Sequence, residues 1–330
     1  MSKDINILIT SVGRRTKLIE YFKKELNREG KIVVTDCSNL APGLYIADKY
    51  YIVPKINHPN YINTLKDICK KEKITAILSL IDPELSLSAK HSDEFNKIGT
   101  NTIVSSYEMC ELFLDKYETF KFCRKNNFNC AKTYSSFIDF QKALNKKEIN
   151  FPVFIKPRKG SASLNINIAR NIEEAKIIFT SSEDMIIQEF LNGQEIGVDV
   201  YIDMISKKVV SIFIKEKLAM RAGETDKSKS IKSEKLFRLI EEFVTKAELI
   251  GPIDIDVFDI NGEYYISEVN PRFGGGYPHA YECGINFPKY IINNLKGIKN
   301  IKQIGNYQED VYMMKHDILT ISKFNNKKEF

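Results

Sequence analysis

Short apolar runs alternate with amphipathic segments through residues 1–110, and this alternation limits the fold more than any other feature of the chain. "INILIT" and "KIVVTD" have strand length and composition, and "RRTKLIEYFKKELNRE" between them has helical spacing. The same order continues through "YINTLKDICKKEK", "ITAILSLID", "ELSLSAKHSDEFNKIG" and "TNTIVSS". Strands that alternate with helices predict a parallel sheet covered on both faces. Ligands of such sheets gather at the carboxyl ends of the strands, here "TSVGRR", "TDCSNLAPG" and "SLIDPE".

The texture changes from about residue 111. A helix over "CELFLDKYETFKFCRKNNF" precedes a strand, a Gly/Ser loop and a strand in "FPVFIKPRKGSASLNINIA". An antiparallel pair is expected over "IGVDVYIDMISKKVVSIFIKEKLA", and "RAGETDKSKSIKS" reads as polar and flexible. A strong amphipathic helix, "EKLFRLIEEFVTKAELI", and a hairpin, "IDIDVFDINGEYYISEVN", follow. The last thirty residues are lysine-rich with little periodicity. With 330 residues, two or three domains are expected.

Several function classes are disfavoured. The first turn, "SVGRR", lacks the Gly-x-Gly-x-x-Gly of dinucleotide binders, and no Gly-x-x-x-x-Gly-Lys-Ser/Thr loop occurs. Six cysteines without a Cys-x-x-Cys pair, and only four histidines, argue against zinc and against a disulfide framework. The net charge of +6 is spread along the chain, so no nucleic-acid partner is expected. No apolar run approaches a membrane span, and the N-terminus reads as a strand, so a soluble, cytoplasmic protein is expected.

Three stretches carry candidate chemistry. In the hairpin, alternation puts Asp254 and Asp256 on one face of the first strand and Glu268 and Asn270 on one face of the second. A two-residue turn at Asn261-Gly262 would leave Asp256 and Glu268 on opposite faces. A three-residue loop with a glycine bulge would bring them together, and that arrangement is the one predicted. The acids are then either solvated on an exposed hairpin or the ligands of a divalent cation, for which oxygen donors suit magnesium. In "FIKPRKGSAS" a strand delivers Lys156 into a basic Gly/Ser loop, open to reading as a phosphate cradle or as an ordinary loop. In "IIQEFLNGQEIGVDV" the turn after Glu189, Phe190 and Leu191 is either a plain strand connection or a slot for a planar base, with Glu195 facing ribose.

Taken in order, these pieces resemble the ATP-grasp superfamily, and specifically short stand-alone proteins similar to part of the carbamoyl-phosphate synthase large subunit. The likeness covers about residues 4–300 and includes "ILITSVGRR", "SLIDPEL", "DKYETF", "FPVFIKPRKGSAS", "IIQEFLNGQE", "RAGET" and "EVNPRFGGGYPHA". It implies an α/β and α+β chain in which a doubly wound pre-ATP-grasp domain (1–110) precedes a two-part ATP-grasp fold. A lid (111–190), a C-terminal subdomain (191–305) and an extension (306–330) would make up the rest.

Carried over by position, the resemblance implies that Lys116 and Lys156 hold the α- and β-phosphates of ATP. The loop Lys159, Gly160, Ser161, Ala162 and Ser163 would close over them. Glu189, Phe190 and Leu191 would line the adenine site, and Glu195 would meet ribose. Asp256, Glu268 and Asn270 would bind magnesium, with manganese as the alternative cation, and Arg272 would stabilise the γ-phosphate in transfer. Asp256 stands where the superfamily commonly has Glu or Gln. Arg14, Asp82, Glu84 and Arg221 are candidate substrate contacts, and His279 a candidate base near the acyl centre. The implied reaction joins a small-molecule acid, such as an amino acid or a sugar-derived acid, to an amine through an acylphosphate. Carbamoyl-phosphate-type synthesis and a non-catalytic nucleotide-binding module are the alternatives. A homodimer is the form common among similar proteins.

Overall fold

The computed structural model describes residues 4–160 and 167–322. Its first sheet contains β1 (Ile7–Thr10), β2 (Ile32–Asp36), β3 (Lys49–Ile52), β4 (Ala76–Ser79) and β5 (Asn101–Thr102), all parallel, in the order β3-β2-β1-β4-β5. Helices α1 (Thr16–Leu26), α2 (Tyr61–Glu72), α3 (Asp82–Lys90) and α4 (Ser92–Lys97) connect the strands. Side chains alternate across the pleat, so Ile7 and Ile9 join the core under α1, while Leu8 and Val33 join the one under α2. The α1 face is set by Leu18, Ile19, Phe22 and Leu26, spaced for one side of a helix. From β1 the chain runs outward through β2 and β3, then crosses to β4 and β5. The crevice at the carboxyl ends of β1 and β4 is therefore where a ligand fits.

Helices α5 (Tyr107–Leu114) and α6 (Lys116–Lys125) lead into a small antiparallel sheet. It comprises β6 (Thr133–Tyr134), β7 (Val153–Pro157), β8 (Asn167–Ala169) and β9 (Met185–Glu189), ordered β6-β9-β7-β8. Helices α7 (Phe137–Asn145) and α8 (Ile172–Thr180) cover it, and Phe140, Val153, Ile155, Ala175 and Ile187 give it a core of its own.

The third sheet is antiparallel and is built from β10 (Gln194–Ile202), β11 (Val209–Arg221), β12 (Glu224–Ile231), β13 (Gly251–Ile260), β14 (Glu263–Asn270) and β15 (Tyr312–Met314). Its order is β14-β13-β10-β11-β12-β15. Helices α9 (Glu234–Lys246), α10 (Tyr277–Glu282) and α11 (Phe287–Leu295) pack with it, and its core is continuous with that under α1.

Two segments differ from expectation. The stretch read as polar and flexible contains β12. Its inward positions are small hydroxyls, Ser228 and Ser230, with Lys227 and Lys229 directed outward, so a strand is hidden within a polar composition. The terminal lysine-rich stretch supplies β15, which pairs with β12 and completes the sheet.

Candidate functional site

The hairpin β13–β14 brings the acids together, by a route other than the one anticipated. Ile260 pairs with Glu263 around a two-residue turn in which Asn261 (φ 54°) and Gly262 (φ 83°) are both left-handed. The extra residue lies inside β14. Val257 pairs with Ile266 and Asp256 with Glu268, so Ser267 is the bulged residue. Beyond it Asp254 faces Asn270. Four polar side chains thus share one face at the strand ends.

A cation that sequence reading missed is embedded in this face. Lys217 on β11 places its ammonium 2.6 Å from Asp256 Oδ1 and 2.8 Å from Glu195 Oε1, with its side chain 6% exposed. Burial, with Asp254, Glu268 and Glu195 nearby, pushes the Asp256 carboxyl up to about 7 against the pull of Lys217.

Lys116 and Lys156 approach from the opposite side. Asp115 caps α6 by accepting from the N–H groups of Tyr117 and Glu118, and Arg158 Nε binds both Asp115 oxygens at 2.7 and 2.8 Å. The α6 start is thereby stitched to β7, and Lys116 donates from Nζ to the Gly160 carbonyl at 2.8 Å. Burial lowers the Lys116 ammonium below its ordinary value. It pushes Lys156 down to about 8, with Lys116 adding repulsion and Glu268 opposing both.

Between these groups lies a cavity of about 250 Å³. One part of its wall is apolar, formed by Ala131, Phe154 and Leu191 on the side of the small sheet and by Phe258 on β13. Lys156, Glu189, Glu195, Asp256, Glu268 and Asn270 line it further along. Lys116, Gly160 and Asp82 line a small adjoining recess that also touches Glu268 and Asn270. Phe190 stacks on Phe154 with ring centroids 5.0 Å apart and is absent from the cavity wall. Lys159 is held 3.5 Å from Glu111 and is likewise outside the wall. Ser161, Ala162 and Ser163 lie outside the described residues.

Arg272 ties the third sheet to the first. Its Nη1 is 3.2 Å from Asp254 Oδ2 and its Nη2 3.0 Å from Asp82 Oδ2, at the start of α3. Its Nε and Asp82 Oδ1 are buried without hydrogen-bond partners among the described residues. The glycine run beside it is dictated by close approach, because a Cβ on Gly274 would stand 2.3 Å from Asp254 Oδ1.

Four expected contacts sit elsewhere. Arg14 is exposed, and it is Arg15 that lines the cavity, because the turn after β1 directs the second arginine inward. Glu84 is fully buried and accepts from Ser11, Ser79 and Tyr61, so it organises the crevice floor without reaching the cavity. Arg221 pairs with Asp226 and Asp317. His279 is buried against Phe213, where Nδ1 accepts from Ser228 and Nε2 donates to the Val311 carbonyl. Burial and Lys215 push it down to about 4, so it is a neutral core residue and no base at the cavity. Among the described residues no cluster of three or more His, Cys, Asp or Glu could hold a metal, and no helix is long and apolar enough to cross a membrane.

Comparison with known proteins finds two matched regions in the chain. Residues 7–103 match the PylC-like N-terminal domain and residues 113–276 match the ATP-grasp domain. Carbamoyl-phosphate synthase of Methanobrevibacter smithii is 24% identical over 185 residues, which is 55% of this chain and 48% of that protein. Phosphoribosylamine–glycine ligase of Fusobacterium nucleatum is 27% identical over 233 residues, covering 62% and 54%. The chain thus spans about half the length of these curated relatives. Among solved structures, the biotin carboxylase domain of Hydrogenobacter thermophilus 2-oxoglutarate carboxylase shares the fold. The TM-score is 0.73 at 16% identity, covering 93% of this chain and 73% of that one.

Proposed function

The chain belongs to the ATP-grasp superfamily, and from that premise we propose that it is an ATP-dependent carboxylate–amine ligase. It would form an amide through an acylphosphate on a small-molecule acid. One observation carries this reading: Lys156 in the cavity and Lys116 in the recess adjoining it share Glu268 and Asn270 as wall residues, with Arg272 also lining the cavity.

The chemistry asks for that arrangement. A carboxylate resists amines because its leaving group would be an oxide, and phosphorylation replaces that group with phosphate. Transfer of the γ-phosphoryl group needs positioning and charge neutralisation more than covalent help. Lys116 and Lys156 would neutralise the α- and β-phosphates, and the apolar wall of Phe154, Leu191 and Phe258 suits adenine. Glu195 would meet ribose.

The donor set fits a hard divalent cation in part. Glu268 and Asn270 offer oxygen ligands facing the cavity, whereas Asp256 is engaged by Lys217. Magnesium held by Glu268 and Asn270, with Asp256 as a third ligand, would supply further neutralisation of the phosphates. Arg272, oriented by Asp82 and Asp254, would steady the transferring group. The small sheet, closing over the cavity, would keep water from the acylphosphate.

The test is phosphate release from ATP over a panel of acid–amine pairs. Release that needs both acid and amine supports ligation, and release driven by bicarbonate alone would replace it with carboxyphosphate chemistry. Nucleotide binding with no release under any condition would sink the catalytic reading.

A further inference from the structure

The end of the cavity nearest the first sheet holds a guanidinium with unused capacity. Arg15 lines the cavity, its side chain is 20% exposed, and among the described residues its one ion pair is Glu224 at 3.5 Å, without a hydrogen bond. Glu224 is held from its other side by Lys315, which lies 3.1 Å from Oε2 and also donates to the Gly275 carbonyl at 2.8 Å. Two cations therefore share the Glu224 carboxylate, on which Arg14 also acts, while Asp254, Asp82 and Arg272 lie within the field of Arg15. Burial opposes ionisation, yet these cations hold the Glu224 carboxyl below its usual range.

The backbone adds to this bias. Arg15 is the N-cap of the eleven-residue helix α1, which has no side-chain cap and no acid in its first turn. Its free N–H groups and the positive end of its dipole face the crevice between β1 and β4. A guanidinium fork beside such a terminus suits a planar or tetrahedral oxyanion.

We infer that Arg15 binds a second anionic group, carboxylate or phosphate, of the acid substrate, so that the acid is at least dianionic. The carboxylate to be activated belongs beside Arg272 and the Glu268 face, and Arg15 lies past them against Glu224 and Gly275. Glu224 aligns the guanidinium, and Lys315, delivered by β15, anchors Glu224. A simple zwitterionic amino acid fits less well, because its ammonium would compete with Arg15 and Lys315 for one carboxylate.

This inference rests on the ligase reading, and one experiment separates their failures. Hydroxylamine replaces the unknown amine. The acid's carboxylate takes the γ-phosphoryl group as ADP leaves, then the hydroxylamine nitrogen attacks the carbonyl carbon and phosphate departs, giving a hydroxamate. The probes are succinate, L-glutamate and 3-phosphoglycerate, set against butanoate and L-alanine, each with MgATP. Hydroxamate is expected from the first group and not the second, and a phosphate-bearing or dicarboxylic preference identifies the source of the anion. Arg15→Met should lower kcat/KM for the active acid by roughly 100-fold, mainly through KM. Arg15→Lys should be intermediate, and the thermal shift given by MgADP should persist in both variants. Turnover of butanoate or L-alanine equal to the first group, or an unchanged KM in Arg15→Met, overturns the inference. No hydroxamate from any acid, with MgADP still binding, removes the ligase reading and this inference together.

Discussion

The Lys217 ammonium lies 2.6 Å from Asp256 and bridges to Glu195, so a buried cation holds together two acids that come from different strands. Lys217→Met should leave both carboxylates without a counter-charge and cost about 3 kcal/mol of stability. Adding Asp256→Asn should recover part of that loss. Urea unfolding of the single and double variants checks it, and strict additivity would show that the pair is uncoupled.

Glu268 faces the cavity and acts electrostatically on both Lys116 and Lys156. Glu268→Gln should reduce turnover by at least about 100-fold while nucleotide binding largely survives. Calorimetric titration with an ATP analogue, alongside phosphate release, separates the two effects.

Arg272 is 11% exposed and spans Asp82 at the start of α3 and Asp254 on β13. Arg272→Ala should therefore abolish turnover and also destabilise the protein by about 3–5 kcal/mol, since two buried carboxylates lose their partner. A variant as stable as the parent would contradict the bridging role.

Lys156 is pushed down to about 8, so it is charged below that pH and neutral above it. Association with ATP should weaken as pH rises through 8, seen as a falling kcat/KM for ATP. Lys156→Arg keeps its charge throughout, and whatever activity it retains should lack this limb.

His279 is buried, pushed down to about 4, and ordinarily titrates near 6.5. Between those values the unfolded chain binds a proton that the folded one does not, so stability is lost as pH falls from 6.5 towards 4. The loss should be on the order of 3 kcal/mol. Substituting His279→Gln should flatten that part of the stability–pH curve without shifting the pH profile of turnover. A shifted activity profile would return the histidine to the chemistry.

The doubly wound sheet was legible because its strands are short apolar runs set between amphipathic helices, a pattern with few alternatives. The facing of Asp256 and Glu268 was anticipated, but the turn chemistry was misread. Asn261-Gly262 forms the two-residue turn its composition favours, and nothing about Ser267 marks it as the unpaired residue. Arg15 and Arg14 are equivalent in sequence, and only the path of the turn after β1 decides which one faces inward. Alternation does place Lys215 and Lys217 on the face of β11 that carries Phe213. It does not say that this face would meet Asp199 on β10 and Asp256 beyond it on β13, which is a property of the assembled sheet. The hydroxyl-lined β12 escaped detection because hydrophobic periodicity cannot see a buried serine.

The unpaired serine of the last hairpin makes the acidic face a matter of counting. Inserting one residue after Ser267 would keep the Asn261-Gly262 corner and the four pairs next to it, yet turn Glu268 and Asn270 over and bring Val269 to the cavity. The protein could stay folded with Glu268 and Asn270 present and be unable to act, which means that this stretch tolerates substitution better than insertion.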